Sequence, residues 1–281
     1  MKQEIPWNRY AVESIVIVAS ILLAFAIDAW WDQRKETREE QVVLQDLAEE
    51  LRQNLTAIDN IWLDRHLRYF NSGVVVLRAI HGLPTDHASY QAETLLKLRQ
   101  GTDWQETLDE FVAREVTGPI LQQELLEHPV VIGYRDVEWA GRSATYGPSL
   151  ANLDVLFQSG LIGRIQDSEL RIRLAELPSQ LDDLISEENI LFDYVSEEIW
   201  PELGPAIDGN LAATLPRVPS SVLAEFAPLA LEKIRGGISV KPGKELAYVL
   251  SRRMGKDIRV LTQLELIAVL YEEVLGLIDS Y

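Results

Sequence analysis

The chain contains no cysteine, which excludes disulfide frameworks, zinc knuckles, iron–sulfur ligation and thiol catalysis. It is also poor in basic residues. Lys and Arg total 26 against 44 Asp and Glu, a formal net charge of −18 over 281 residues. Nucleic-acid binding needs the opposite balance, because it draws on counterions released from phosphates by Lys and Arg, so nucleic acid is not an expected partner. Anionic lipid surfaces are equally poor partners, except at a local basic cluster. Histidine occurs four times, and none has a glutamate three positions before it, so the paired Glu-x-x-His motifs of a di-iron bundle are missing. Glu124-x-x-x-His128 has a different spacing and stands alone, and His81 and His87, which bracket a loop beside Asp86, read more simply as exposed loop side chains. Gly-x-x-x-x-Gly-Lys-Ser/Thr, Gly-x-Gly-x-x-Gly and Gly-x-Ser-x-Gly are all missing, so phosphate cradles and nucleophile elbows lack their scaffolds. No catalytic residue, metal ligand or cofactor is expected. Between Trp7 and Ser72 there is neither glycine nor proline, which removes the usual signals for a hinge.

The apolar fraction is 47% and the charged fraction 25%, ordinary globular values that exclude wholesale disorder. The apolar residues are concentrated near the start, where residues 14–27 read SIVIVASILLAFAI. From Ala11 to Ala29 a helix would rise about 28 Å, near the hydrocarbon thickness of a bilayer. Trp7 and Tyr10 stand at one end, Trp30 and Trp31 at the other, as interface anchors with apolar rings and an N–H or O–H for water. This predicts a transmembrane helix over 7–31. A cleaved signal peptide, with Lys2 and Arg9 as its basic start and Ala24-Phe25-Ala26 as its cleavage site, competes with it. So does a buried helix of a soluble core. Neither needs the aromatic belts.

Glu13, Ser20 and Asp28 lie 7 and 8 positions apart and so share one helix face, with Ala24 on the same stripe. Ser20-x-x-x-Ala24 has the small-residue spacing that lets helices approach closely. A carboxylate facing lipid is costly, so the stripe Glu13, Ser20, Ala24, Asp28 reads as a transmembrane association face. The competing reading is that Glu13 and Asp28 sit at the two interfaces and reach water. Lys2 and Arg9 precede the span and Arg34, Lys35 and Arg38 follow it, a count that weakly favours a cytoplasmic C-terminal part. The usual layout of a short amino-terminal anchor before one large domain places the bulk in the periplasm instead, and that is the expectation adopted.

Beyond Trp31, residues 32–41 are almost wholly polar and read as a solvated stalk. Leu44, Leu47, Leu51, Leu55, Ile58 and Trp62 then recur at steps of 3 and 4, the stripe of an amphipathic helix. The stalk helix is expected over 32–80, stopped at His81-Gly82-Leu83-Pro84. Further helices are expected at 86–100, 102–115 and 119–128, the last stopped by Pro129. VVIGYRDVEW is the one strand-like run, and the reading goes against a strand there. A helix to Phe157, a turn at Ser159-Gly160 and a helix capped by Asp167 follow. That helix should run to about Trp200, bent at Pro178, until Pro201, Gly204, Pro205 and Gly209 break it. A helix near 220–235 wraps the bundle. The last helix spans 243–280, with Leu246, Leu250, Ile258, Leu261, Leu264, Ile267, Val269, Leu270 and Leu277 as core candidates and Gly255 as a weak point. Asp182-Asp183 and Glu187-Glu188 read as solvent-facing pairs, and Trp62, Tyr69, Trp104, Trp139, Tyr146 and Trp200 as core aromatics rather than a ligand pocket. The fold class is all-α: an anchor over 1–31 and a helical bundle domain over 32–281 that includes the stalk.

Two blocks carry a resemblance. SIVIVASILLAFAIDAWWDQRKETREEQVVLQDLAEELRQNL resembles the start of an uncharacterised bacterial family of single-pass, membrane-anchored helical proteins, and TYGPSLANLDVLFQSGLIGRIQDSELRIRLAEL resembles its second landmark. The resemblance covers about a quarter of the chain. It implies a bacterial inner-membrane anchor and a helical domain, and brings no catalytic residues. The expected function is a single-pass interaction or scaffold protein, or an accessory subunit of a membrane assembly. Its expected partners are the lipid bilayer and either copies of itself or other membrane-protein subunits. A ligand-sensing bundle that signals through a partner is the alternative, with a hydrolase or metalloenzyme behind it.

Overall fold

The computed structural model describes residues 7–59, 63–85, 112–113, 117–207 and 237–281, with side chains in the first helix from Ser20 onward. The architecture is helical. Helix α1 runs over Trp7–Ala57 and α2 over Leu63–Ile80. After the short α3, Gly118–Leu121, come β1, Val130–Ile132, and α4, Tyr134–Ala140. Helix α5 spans Ala151–Gln158 and α6 Ser168–Tyr194. A π turn over Val195–Ile199 joins α6 to α7, Trp200–Ala206. Strand β2, Ile238–Val240, precedes α8, Lys244–Ser280.

Helix α8 is the spine of the domain: it packs most extensively on α6, then on α2 and α1. The sequences of the main pair explain why. In α6 the fully buried positions are Leu170, Leu174, Leu177, Leu181, Leu184, Glu188 and Leu191. These alternate steps of four and three, the repeat that keeps one seam facing a neighbouring helix. Each leucine moved from water into that seam contributes about 1.5–3 kcal/mol before conformational entropy is set against it. Helix α8 answers with Leu246, Leu250, Leu261, Leu264 and Ile267, all buried as expected, whereas Val269 is 42% exposed and faces solvent. Gly255 does not interrupt α8.

Local signals set the ends of several elements. Asp167 caps α6, its carboxylate accepting from the N–H of Glu169 at 2.8 Å and of Leu170 at 3.1 Å, a cap worth about 1 kcal/mol. Helix α2 closes as His81-Gly82-Leu83 predicts. The N–H of Gly82 donates to Ala79 O and that of Leu83 to Arg78 O, both at 3.0 Å, with Gly82 at φ +69°. Those two bonds satisfy carbonyls that the end of a helix leaves unpaired.

Several expectations are corrected. The stalk expected over 32–80 is α-helical to Ala57, continues as a π turn at Ile58 and Asp59 and is α-helical again from Leu63; residues 60–62 lie outside the described residues. The two segments bury different amounts of surface. Helix α1 uses a single stripe of Leu44, Leu47, Leu51 and Ile58, while residues 72–78 of α2 are buried on every side between α4 and α8. Residues 119–128 form only the one-turn α3. VVIGYRDVEW does supply a strand: β1 pairs antiparallel with β2, Val130 opposite Val240 and Ile132 opposite Ile238. Only glycine fits at 237 beside this ladder. Its φ is +76°, and a Cβ there would lie 2.9 Å from Ile132 O. The Pro-rich stretch after Trp200 does not stop the helix at once, because Pro201 sits in the first turn of α7, where no N–H is needed. The helices expected at 86–100 and 220–235, most of that at 102–115, and Trp62, His87 and Trp104 lie outside the described residues.

Among the described residues, no helix is long and apolar enough to cross a membrane.

Candidate functional site

Two features distinguish this molecule: the amino-terminal arm of α1 and a polar centre buried inside the domain. On the arm, Trp7, Tyr10 and Glu13 belong to the α1 backbone, with side chains outside those described. Ser20, Ala24 and Asp28 are exposed and follow one another at i, i+4 steps, so three of the four residues expected to form an association face do share one. Large apolar side chains surround the same stretch on all sides. Ile21, Leu22, Leu23, Phe25 and Ile27 are 50–67% exposed, and Trp30 and Trp31 are 54% and 64% exposed. The two indoles stack with centroids 5.5 Å apart, and the Arg34 guanidinium lies 5.3 Å from the Trp30 centroid. A helix that is apolar all round is stable where something apolar surrounds it.

The domain begins at the foot of this arm. Arg164 pairs with Glu36 at 3.2 Å. The Tyr281 hydroxyl donates to the buried carboxylate of Glu40 at 2.6 Å and accepts from the Gln166 N–H at 3.3 Å. Higher up, Glu50 on α1 caps α5. One carboxylate oxygen accepts from Ala151 N at 2.9 Å and Ser149 Oγ at 2.6 Å, the other from Asn152 N at 3.0 Å. An anion at a helix N-terminus meets unpaired N–H groups and the positive end of the dipole. The stalk is therefore polar where expected and yet clasped by the domain from Glu36 onward.

The polar centre lies between α2, α6 and α8. His66 and Glu188 are both fully buried, with Nε2 and Oε1 3.4 Å apart. The other Glu188 oxygen accepts from the Tyr146 N–H at 2.6 Å. One helical turn apart on α8, Arg253 donates from Nε to Asp257 at 3.0 Å, both side chains within 1% of complete burial. Arg253 also donates to the carbonyls of Ala140 and, at 2.5 Å, Arg142, at the end of α4. Burial holds the Asp257 carboxyl above its ordinary range, with Arg253 and His66 pulling it back. Asp257 Oδ1 and both ring nitrogens of His66 lack hydrogen-bond partners. Among the described residues, no three His, Asp or Glu side chains converge to hold a metal ion. The centre joins side chains of α2, α6 and α8 and the end of α4 through buried polar contacts.

Glu188 corrects one expectation. Asp182 and Asp183 face solvent as anticipated, but Glu188 is turned into the core. Of the aromatic residues, Tyr146 is buried, while Tyr69, Trp139 and Trp200 are half-buried. His81 is half-buried and His128 exposed, their Nδ1 atoms 3.1 Å from Gln123 O and 3.3 Å from Pro129 O.

Tyr146 reports on this centre. Burial, opposed by its interaction with Tyr271 and reinforced by the Glu188 charge, pushes its phenol up to about 12. An unfolded tyrosine ionises near 10, so the unfolded chain loses the proton first. Stability contributed by this residue is present below pH 10 and is lost as pH rises from 10 towards 12. Tyr146→Phe is expected to remove about 1.4 kcal/mol of alkaline destabilisation per pH unit in that window. Urea unfolding at pH 8, 10 and 11 checks this, and parallel pH dependences of wild type and variant contradict it.

In comparisons with known proteins, no family model, no curated protein and no solved structure matches this chain.

Proposed function

We propose that this chain is a single-pass membrane-anchored helical interaction or scaffold protein, an accessory subunit of a membrane assembly rather than an enzyme. One observation carries the reading: a stretch of α1 with large apolar side chains exposed around it, interrupted by the stripe of Ser20 and Asp28, runs within one helix into a tightly packed domain. Seated in lipid, residues 7–31 need no protein cover, and the two indoles lie at the headgroup boundary. The helix then transmits its direction to the bundle, since α1 is part of the core from Leu44 onward. An anchor of this kind in the bacterial inner membrane leaves the bulk of the chain in the periplasm. The resemblance to single-pass bacterial helical proteins carries the same expectation of an inner-membrane anchor.

The association face is Glu13, Ser20, Ala24 and Asp28. Close approach at Ser20 and Ala24 favours a second copy or another membrane subunit. Ser20→Leu with Ala24→Leu is expected to weaken assembly about tenfold, the loss of roughly 1–2 kcal/mol of helix contact. Native mass measurement of the full chain in mild detergent, with co-purifying subunits identified, checks it. Unchanged assembly of the double variant contradicts the face.

A further inference from the structure

We propose that Arg34, Lys35 and Arg38 form a binding face for the phosphate of anionic phospholipid headgroups, a proposal that rests on the membrane-anchor reading above. The chain as a whole carries −18 and is repelled by such lipids, so any preference has to come from a local arrangement. The structure contains one. Trp31, Arg34, Lys35 and Arg38 fall on one side of α1, because steps of three and four return to the same face. With Asp32 they line an open recess of about 220 Å³.

The domain separates the charges of this segment. Glu36 is taken by Arg164 at 3.2 Å, and Glu40 is buried under the Tyr281 hydroxyl at 2.6 Å. Two of the acidic side chains are thereby engaged by the bundle, while Arg34, Lys35 and Arg38 remain exposed. Asp32 and Glu39 stand closest in opposition. Glu39 approaches Lys35 only at 3.8 Å, with both side chains more than half exposed, and such a pair contributes little. Exchanging it for a lipid phosphate therefore costs little.

The position along the helix suits this partner. The basic residues begin three positions after Trp31, about 4.5 Å further along the axis, and Arg38 lies about 10 Å beyond it. The polar headgroup layer is roughly 5–8 Å deep on each side of the hydrocarbon, and long Arg and Lys side chains bend back towards it. Arg34, over Trp30 at 5.3 Å, is already held at that level. A lipid phosphate is supplied at this depth wherever the anchor is seated, whereas free phosphate is not, which favours the lipid as occupant.

The test reconstitutes the full chain into nanodiscs of equal phosphatidylcholine and phosphatidylglycerol, then quantifies by native mass spectrometry the lipids that stay bound on release. Wild type is expected to retain phosphatidylglycerol about tenfold over phosphatidylcholine at low salt, falling several-fold in 0.5 M salt. R34Q/K35Q/R38Q is expected to retain the two lipids about equally with unchanged helical content, and R34K/R38K to keep the preference. Equal retention by wild type, or the same preference in the glutamine variant, overturns the proposal while the anchor stands. Displacement by inorganic phosphate without any lipid preference also overturns it. A chain that does not enter the nanodiscs overturns the anchor reading and this proposal together.

Discussion

Arg253→Met is expected to destabilise the domain by about 3–5 kcal/mol, the usual cost of removing one member of a buried ion pair. The side chain is fully buried and donates to three acceptors: Asp257 on its own helix, and the carbonyls of Ala140 and Arg142 more than 110 residues earlier in the chain. Methionine fills much of the volume and supplies none of those donors. Asp257, already held above its ordinary range by burial and with Oδ1 unpartnered, then keeps a desolvated carboxyl without its cation, and the last carbonyls of α4 lose their cap. Adding Asp257→Leu should recover part of the loss, because a buried pair replaced by apolar residues is often nearly neutral. Urea unfolding at pH 7 of wild type, the two single variants and the double variant measures both effects. A single-variant cost below about 1 kcal/mol, within the range of an exposed pair, contradicts the account of the polar centre.

Ile21→Arg combined with Leu22→Arg is expected to abolish membrane integration. Each guanidinium at the middle of a spanning helix adds about 2.5–3.5 kcal/mol to the cost of insertion, and the apolar stretch has no reserve of length to offset it. Both side chains are at least half exposed on α1 and make no contribution to the domain core. The bundle itself should therefore fold as before, and the urea midpoint of the domain should not move. Flotation of the expressed variant with lipid vesicles checks the first effect. Integration as complete as that of wild type contradicts the placement of these residues at the centre of a bilayer.

What could be read in advance follows from how local each cause is. The Asp167 cap and the Gly82 terminus are encoded within four residues, and both fall where expected. The buried stripes of α1 and α8 follow from spacing alone, apart from Leu55 and Leu277, which are half-buried, and Val269, which sits one residue off the seam. The change from α to π geometry at Ile58 and Asp59 was not legible, because no glycine or proline marks it. Strand β1 depends on a partner more than 100 residues later, a pairing that local pattern does not reveal.

The polar centre was missed for a different reason. Paired acids on a helix are ordinarily surface features, which is how Glu187-Glu188 reads, and no local pattern singles out Arg253, Asp257 or His66. The signal was nevertheless present. Glu188 occupies a position of the leucine repeat between Leu184 and Leu191. Arg253 and Asp257 likewise continue the repeat that runs from Leu246 and Leu250 to Leu261 and Leu264. A charge on an apolar seam has to be paired or neutralised inside the fold, and asking that of each seam position would have found three of the four residues. The fourth, His66 on α2, is the residue that Glu188 faces across the helices.

The claim on which the whole reading depends is that the arm of α1 resides in hydrocarbon. The most direct measurement is flotation of the full-length chain from a membrane fraction washed in high salt and urea at neutral pH. Such a wash strips proteins held by charge or by partners and leaves those held by a spanning helix. The account predicts that the chain floats quantitatively with the lipid after the wash. Recovery in the washed supernatant, as a folded protein with residues 7–31 still attached, contradicts it.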